Sequence, residues 1–393
     1  MGAFMTFDPA AATQAYLAQL SAAELALARD YTTGNHWLIL GGLVVSALVS
    51  WLIVRSNVLD KLSARLQNRG FALHVLLVGG VFLLLNTMLS KPWTLYTDWW
   101  RELQYERTSQ PLGDYLLQSG ISTLITTLLG ALLLLALYTL IRRSQHLWWA
   151  WASALVTVTS AFVLLLSPVL VEPLFNDYQP IPEGEVRDAV NALAAEAGVP
   201  EDHVFMFDGS RQSNNFTANV SGVGGSARIA ISDVALTSAS LDEVKAVTGH
   251  EIGHYVLGHV WRMVGFVTIA AMLVFFLTTR SYGTFARLFG CDAGIADPRG
   301  LPVLFFVIGL FVTLAQPALN ALTRLGEREA DVYSLEHVGL PDGLASALMK
   351  TAEYRYPLAG PVEEALFYTH PTVANRVRRA MEWKAAHQTA AEE

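Results

Sequence analysis

The stretch AVTGHEIGHYVLGHVWRMVGFVTIAAMLVFFLT, residues 246–278, joins a polar segment directly to an apolar one. The first part holds three histidines and one glutamate. The remainder, Val260 to Thr278, is long and apolar enough to cross a hydrocarbon layer of roughly 30 Å. Two histidines and a glutamate so close to lipid would be costly without a function. The stretch therefore predicts a membrane protein whose functional groups lie at the end of a span.

Composition extends this prediction to the whole chain. Of 393 residues, 53% are hydrophobic and only 15% are charged, which is typical of a protein embedded in a lipid bilayer. Soluble helices carry a polar face, and the longest apolar runs of this chain lack one. We predict a mainly α, polytopic α-helical membrane protein with about six spans, at His36–Val54, Phe71–Leu89, Ile121–Ile141, Trp148–Val171, Val260–Thr278 and Leu301–Leu322.

Charge and cysteine content exclude other classes of protein. The net charge is −8, and the basic residues are scattered without forming a stripe, so no nucleic-acid partner is predicted. The single cysteine, Cys291, can form neither an internal disulfide nor a thiolate metal cluster. Any metal must therefore be held by histidines and carboxylates.

Polar segments between the spans divide the chain into five parts. The longest polar segment, residues 172–249, has an amphipathic helix at Pro182–Val199. It also has three short strand-like runs, HVFMFDG, NNFTANVSG and ARIAISDVAL, which predict a small sheet. The predicted parts are an N-terminal tail (1–35), four spans with loops (36–171), a soluble insert (172–249), a segment with the histidine helix and two spans (250–323), and a polar C-terminal helical region (324–393).

The polar segment of the opening stretch has the spacing of a metal site. His250 and His254 are four residues apart, so on a helix they project from one face and can bind a single Zn²⁺. Glu251 is rotated off the ligand line but lies close enough to accept a proton from water, the general-base role in H-E-x-x-H metallopeptidases. Gly249 and Gly253 leave room for close approach of another backbone.

His259 is not predicted to be a third ligand. Nine residues past His250 is about 900° of helical rotation, which places His259 on the opposite face of a continuous helix. The metzincin pattern is also excluded, because its glycine and histidine positions hold Leu257 and Val260. The third ligand must come from elsewhere in the chain.

The candidate third ligand lies in LGEREADVYSLEHVG, residues 325–339. Glu327 and Asp331 are four residues apart on a predicted helix and share a face. Glu327 would complete a His₂Glu set with one open position, and Asp331 would accept a hydrogen bond from the far nitrogen of a ligand histidine. Glu329 is the rival ligand, although it lies about 200° round the helix from Glu327. Taken alone, such a carboxylate pair is more often a solvated helix face.

Several stretches together resemble the Ste24 type of CAAX prenyl protease, integral-membrane zinc metallopeptidases of the M48 class. The resemblance extends from about residue 28 to residue 382, and the blocks follow the family's order. They are KPWTLYTDWWRELQYERTSQPLGDY, PLFNDYQPIPEGEVRDAVNALAAEAGVP, FDGSRQSNNFTANVSG, VTGHEIGHYVLGH, GEREADVYSLEHVG and FYTHPTVANRVRR.

The resemblance implies the metal, base and orienting roles already given and adds three residues. Asn214 would lie on an edge strand that pairs with the substrate backbone. His370 and Arg376, in the HPTVANR block, would stabilise the oxyanion or position the substrate. Taken alone, Asn214 is equally a turn residue and Arg376 a surface cation. Family members enclose a large chamber within a ring of helices, so the polar residues would face a water-filled cavity and not lipid.

Three functions follow as hypotheses. The first is a membrane zinc endopeptidase whose peptide or protein substrate is C-terminally prenylated, as the CAAX family name implies. The second is a quality-control protease for unlipidated membrane proteins, favoured by alanine-rich composition and compact loops that suggest a bacterial inner membrane. The third is a non-catalytic scaffold or chaperone stabilised by zinc, which would need four protein ligands and no spare base.

Sidedness is open between two arguments. The resemblance implies a catalytic site facing the cytoplasm. The first and third loops instead carry most of the basic residues near span ends, Arg55, Lys61, Arg65, Arg69, Arg142 and Arg143, which by the positive-inside rule places those loops in the cytoplasm and the insert outside it. The usual family member also has seven spans, whereas six are predicted here.

Overall fold

The computed structural model describes residues 7–200, 203–222, 227–352 and 354–391. These residues form a mostly helical molecule with one small sheet. The helices, α1 to α15, are Pro9–Leu17, Ala22–Arg55, Val58–Arg65, Phe71–Leu95, Arg101–Gln104, Leu112–Arg143, Trp148–Leu166, Glu185–Glu196, Asp233–Ser238, Leu241–Val256, His259–Phe289, Leu301–Val338, Pro341–Lys350, Pro361–Phe367 and Val373–Ala391. The strands, β1 to β4, are Tyr178–Pro180, Val204–Phe207, Ala218–Ser221 and Arg228–Ser232.

Six helical segments within the described residues are long and apolar enough to cross a membrane, as predicted. Five of them extend further than the apolar runs alone indicate, whereas the fourth, Trp148–Leu166, ends before the predicted Val171. The first begins at Ala22 instead of His36, because Ser21 and Glu24 form a capping box that starts α2 upstream of its apolar part. The sixth continues past Leu322 to Val338, with Pro317 inside the helix. The candidate ligand Glu327 therefore stands on the same helix as the last span.

The spans pack around a shared apolar core. Phe82 of α4, Tyr138 of α6, Trp148 of α7 and Leu304 of α12 are fully buried in it. Close contact is helped by small residues: a Cβ on Gly79 would lie 3.0 Å from the Leu134 side chain. The core fixes the spans relative to one another and so fixes the helix ends that carry the polar groups.

The soluble insert contains a four-stranded sheet in the order β1-β2-β4-β3. Strands β2 and β4 are parallel, whereas β1 and β3 are antiparallel to their neighbours. The three predicted runs form β2, β3 and β4, while Tyr178–Pro180 adds an edge strand too short to show in the sequence. Ile229 and Ile231 of β4 are buried in one apolar cluster with Val190 of α8 and Ile252 of α10. This cluster attaches the histidine helix to the sheet.

The histidine helix is separate from the fifth span. Helix α10 ends at Val256, and Gly258, with φ of +66°, reverses the backbone before α11 begins at His259. The proposed part boundaries at 249/250 and 323/324 both fall inside helices, α10 and α12. Polarity changes at those positions without a change in backbone structure.

The two ends of the bundle carry different connections. At the end away from α10, Arg299 pairs with Asp60 at 2.9 Å, which joins the segment before α12 to α3. At the opposite end, α1 packs beside α13 and α15, with Tyr16 donating a hydrogen bond to Asp342. The N-terminal helix, the insert and the C-terminal helices therefore lie together at the end that carries the polar groups.

Helices α10 and α12 approach closely because α10 presents glycines to α12. A Cβ on Gly253 would lie 3.0 Å from the Tyr333 Cβ and 3.2 Å from the Ala330 Cα, and one on Gly249 would collide with Val338. The Ser334 hydroxyl also donates to the Ala246 carbonyl at 2.6 Å. The close approach expected from these two glycines is confirmed.

We predict that Gly253→Ala pushes α10 and α12 apart by a few tenths of an ångström. The expected result is a loss of about 1–3 kcal/mol in the free energy of unfolding, as for overpacking generally, together with weaker zinc binding. Unfolding in detergent and chelator competition measure the two effects. Gly265→Ala in α11, where a Cβ meets no atom within 4 Å, is the matched control. Equal stability and zinc affinity in both variants would contradict the prediction.

Candidate metal centre and active site

Three candidate ligands converge where α10 meets α12. His250 and His254 direct their Nε2 atoms to one point, 3.1 Å apart. Glu327 places Oε2 at 3.3 Å from the Nε2 of His250 and Oε1 at 3.4 Å from the Nε2 of His254. Each of the three offers one ligand atom, and these atoms lie within 4.8 Å of one another. Among the described residues, this is the group of histidines and carboxylates that could hold a metal ion.

The donor set fits a zinc ion. Glu327 is only 5% exposed, and within the described chain its Oε2 has no hydrogen-bond partner despite its nearness to His250. Two imidazole nitrogens and a carboxylate that face one another present lone pairs that a cation would satisfy. Two histidines and one glutamate match the ligands of catalytic zinc, which leave one position open.

Asp331 holds the first histidine. Its Oδ1 lies 2.9 Å from the Nδ1 of His250, the atom turned away from the other ligands. Burial opposes protonation of His250, but the adjacent carboxylates of Asp331 and Glu327 outweigh it and raise the pKa of His250 to about 9. The contact with Asp331 is the one predicted from the i, i+4 spacing. It fixes the imidazole so that Nε2 faces the metal position.

Arg376 of α15 binds both carboxylate oxygens of Asp331. Its Nη2 and Nε atoms donate to these oxygens at 2.6 and 2.8 Å, and the side chain is only 6% exposed. Nη2 also lies 3.7 Å from the Oε2 of Glu327. Arg376 lines the site cavity, but these contacts favour a role in positioning Asp331. Its role in substrate binding stays a prediction.

His259 orients the second histidine, which the sequence reasoning missed. Its Nδ1 lies 2.8 Å from the Nδ1 of His254, and its Nε2 lies 2.9 Å from Glu329. The predicted opposite-face position was wrong, because the helix is interrupted at Gly258 and the chain turns back. A glycine directly before His259 was the available signal.

The same contacts place Glu329, the rival ligand, outside the metal group. Its carboxylate is bound by His259 and by Arg262, at 2.9 and 2.6 Å. If Nε2 of His254 binds the metal, its Nδ1 carries the ring proton and donates a hydrogen bond to Nδ1 of His259. The Nε2 of His259 then carries the proton of that ring and donates a hydrogen bond to Glu329. Glu329 thus acts through His259 on the orientation of His254.

Glu251 lines the same cavity as the three ligands. The cavity has a volume of about 360 Å³ and is bounded by α10, α12, the segment before β3 and the C-terminal region. Burial raises the pKa of Glu251, and the neighbouring His250 and His254 lower it in part. A carboxylate with a raised pKa is a stronger base, which favours its accepting a proton from water and later returning it.

His370 lies between α14 and α15, with its Nε2 3.3 Å from the Oε1 of Glu327. The Thr369 hydroxyl contacts its Nδ1 at 2.9 Å. Burial, and to a smaller extent the positive charge of Arg355, lower the pKa of His370 to about 3. The imidazole ring is therefore neutral at neutral pH. His370 does not belong to the three-residue group whose atoms all lie within 4.8 Å.

Asn214 does not lie on the edge strand, contrary to prediction. Strand β3 begins only at Ala218, and Asn214 belongs to the preceding segment. Its amide donates to the Glu106 carbonyl at 2.9 Å, and its backbone N–H donates to the Arg107 carbonyl. The loop after the second span thus accepts the hydrogen bonds that the side chain and the backbone N–H of Asn214 donate. The next residue, Asn215, lines the cavity instead.

Polar residues of α4 and α6 line a second cavity of about 660 Å³. Lys91 and Ser119 form a hydrogen bond there, and Gln212 from the insert closes one side. These polar side chains of α4 and α6 therefore share a cavity, which reduces the cost of placing them within membrane-spanning helices.

Comparison with known proteins agrees with this site. Residues 180–384 match peptidase family M48, and residues 9–177 match the CAAX prenyl protease N-terminal family of five membrane helices. The chain is 27% identical to the uncharacterized metalloprotease YhfN of Bacillus subtilis, over 91% of this chain and 85% of that one. It is 30% identical to CAAX prenyl protease 1 of Saccharomyces cerevisiae, over 56% of this chain and 52% of that one.

A solved structure shares the fold. The crystal structure of S. mikatae Ste24p superimposes with a TM-score of 0.74 at 20% identity, over 92% of this chain and 89% of that one. Fold, site and relatives together define a multi-pass membrane zinc metalloprotease. The chain belongs to peptidase family M48, of which a bound metal, generally zinc, and a peptide substrate are characteristic.

Proposed function

We propose that the chain hydrolyses peptide bonds in the 360 Å³ cavity, with Zn²⁺ held by His250, His254 and Glu327. The observation that carries the proposal is the convergence of three ligand atoms beside an acidic side chain, Glu251, in one cavity. A fourth protein ligand would favour a scaffold, and the described residues offer three. When bound, zinc would activate water and polarise the scissile carbonyl.

The protein's own groups supply the proton transfers and the positioning. Glu251 takes the proton from the attacking water and returns it to the leaving amine. Neutral His370 donates a hydrogen bond to the oxyanion, since a ring with a depressed pKa keeps one N–H and one acceptor nitrogen. Asp331 and Arg376 hold His250, while His259 holds His254. The segment 215–218 leads into the edge strand β3, to which the substrate backbone adds.

We predict that Glu251→Gln lowers peptide cleavage by roughly 10²–10⁴-fold or more, because the amide cannot accept the proton. Bound zinc is retained, since Glu251 is not a ligand. Cleavage of a fluorogenic peptide and metal analysis of the purified protein measure the two effects. Glu336→Gln, which changes an exposed carboxylate of α12, is the matched control and retains activity. Full activity in Glu251→Gln would refute the mechanism.

We infer that the substrate carries a C-terminal prenyl group; the yeast relative bears the name CAAX prenyl protease 1. An apolar cavity of about 700 Å³, lined by five spans, supports this inference. It shares Thr126 with the 660 Å³ polar cavity, and Gln212 of the insert lines that polar cavity, so a prenyl chain in the apolar cavity would adjoin a polar space that reaches the insert. The competing substrate is an unlipidated membrane protein undergoing quality control.

A farnesylated peptide and its unlipidated counterpart distinguish the two substrates. We expect the farnesylated peptide to be cleaved at least about tenfold more efficiently, because roughly 0.8 kcal/mol is gained per buried CH₂ group. Thr126→Leu, which changes the wall between the cavities, should reduce this preference. Equal cleavage of both peptides would support the quality-control function.

We propose a bacterial inner membrane location with the site facing the cytoplasm, on the family resemblance. The loop charges favour the reverse. The segments at the end away from the site hold Arg55, Lys61, Arg65, Arg69, Arg142 and Arg143, and Arg287 and Arg299 lie at the same end. A site outside the cytoplasm would exclude cytosolic prenylated substrates.

Reporters fused after Glu393 test the sidedness, because the C-terminal helices lie at the site end. A cytoplasmic site gives fluorescence from a fused green fluorescent protein and no activity from a fused alkaline phosphatase. A fusion after Arg143, at the other end, should give the opposite pair of signals. The reversed pattern would overturn the proposed orientation and the prenylated substrate with it.

A further inference from the structure

Arg355 presents a cationic side chain to the active-site cavity. It belongs to the loop between α13 and α14, and it lines the cavity together with Tyr354, Glu251 and His370. Its guanidinium lies 5.5 Å from the centre of the Tyr354 ring. Neither the sequence motifs nor the mechanism assigns it a role.

The two arginines of the cavity differ in their partners. Arg376 binds both carboxylate oxygens of Asp331, so its charge is balanced within the protein. Arg355 is partly buried. Among the residues that the structure describes, no carboxylate oxygen lies within 4.0 Å of its side-chain nitrogens. Burial is costly for a charged group without a counter-ion.

Electrostatics agree with a partly buried positive charge in this cavity. Burial lowers the pKa of Arg355, Tyr354 raises it in part, the like charge of Arg376 lowers it further, and the more distant carboxylates of Glu327 and Glu251 raise it. Arginine nevertheless remains protonated at neutral pH. Arg355 also contributes, after burial, to the low pKa of His370, which lines the same cavity.

We propose that Arg355 is a specificity-determining residue that binds a carboxylate of the substrate near the scissile bond. The planar guanidinium suits a carboxylate, because it can donate two parallel hydrogen bonds, and the Tyr354 ring restricts its orientation. The carboxylate is either the substrate's C-terminus or an acidic side chain. This assignment rests on the proposed peptidase function of the cavity.

The test compares three fluorogenic peptides of otherwise equal sequence. One ends in a free carboxylate, one ends in an amide, and one ends in an amide but carries a Glu in place of Gln on the carboxyl side of the scissile bond. Wild-type protein should prefer one of the carboxylate peptides over the neutral amide by roughly 10–100-fold in kcat/KM, mainly through KM, as expected for a charge-assisted hydrogen bond. The preferred peptide identifies the source of the carboxylate.

In Arg355→Gln this preference should fall to about one, and in Arg355→Lys a part of it should remain because the charge is kept. Arg378→Gln, which changes an exposed arginine of α15, is the matched control and keeps the preference. Zinc content and thermal unfolding verify that each variant is folded. A wild type without preference, or a preference that survives in Arg355→Gln, would overturn the proposal. An equal loss on all three peptides would assign Arg355 to the oxyanion and equally overturn it.

A binding measurement separates this proposal from the peptidase function. Fluorescence anisotropy of labelled peptides is measured on the zinc-loaded Glu251→Gln variant, which does not need turnover. Tighter binding of a carboxylate peptide by roughly tenfold, lost in Glu251→Gln/Arg355→Gln, supports the carboxylate site even if wild-type protein cleaves none of the peptides. Equal binding of acid and amide peptides rejects the site. If wild-type protein cleaves none of the peptides, that result counts against the proposed peptidase function and not against the carboxylate site.

Discussion

The close approach of α10 and α12 is the contact on which the active site depends. A metal site of two histidines and one glutamate needs its ligand atoms within a few ångströms, although the ligands stand on helices some 70 residues apart in the chain. Gly249 and Gly253 allow this approach because any side chain there would meet α12. The groups that orient the histidines lie around this contact: Asp331 and Arg376 support His250, and His259 supports His254.

The membrane sets the second constraint. Polar groups cannot face lipid without cost. Lys91 and Ser119 of the spans line a cavity, and the candidate metal ligands lie at the end of the bundle. Helix α12 serves both the membrane and the metal site as one continuous helix. Its first half lies in the apolar core, and its second half carries Glu327 and Asp331. The sheet and α10 then supply the opposite wall of the cavity.

Periodic features could be predicted from the sequence. The six spans, the paired histidines and the carboxylates Glu327 and Asp331 follow from helical spacing, and α12 remains helical across all these positions. Features that depend on chain breaks or on distant partners could not. Asn214 was assigned to a strand but is bound by the loop at Glu106, more than 100 residues away in sequence. Arg355 belongs to no spacing pattern, and only the folded cavity reveals it.

The distribution of the site along the chain has a consequence for biosynthesis. The histidine pair is made first, Glu327 arrives with the last membrane crossing, and His370 and Arg376 follow near the carboxyl end. A nascent polypeptide that has emerged only as far as the fifth crossing holds two imidazoles and no third donor. Such an incomplete chain lacks the means to retain the ion, so hydrolytic power would develop only once the entire bundle has been inserted.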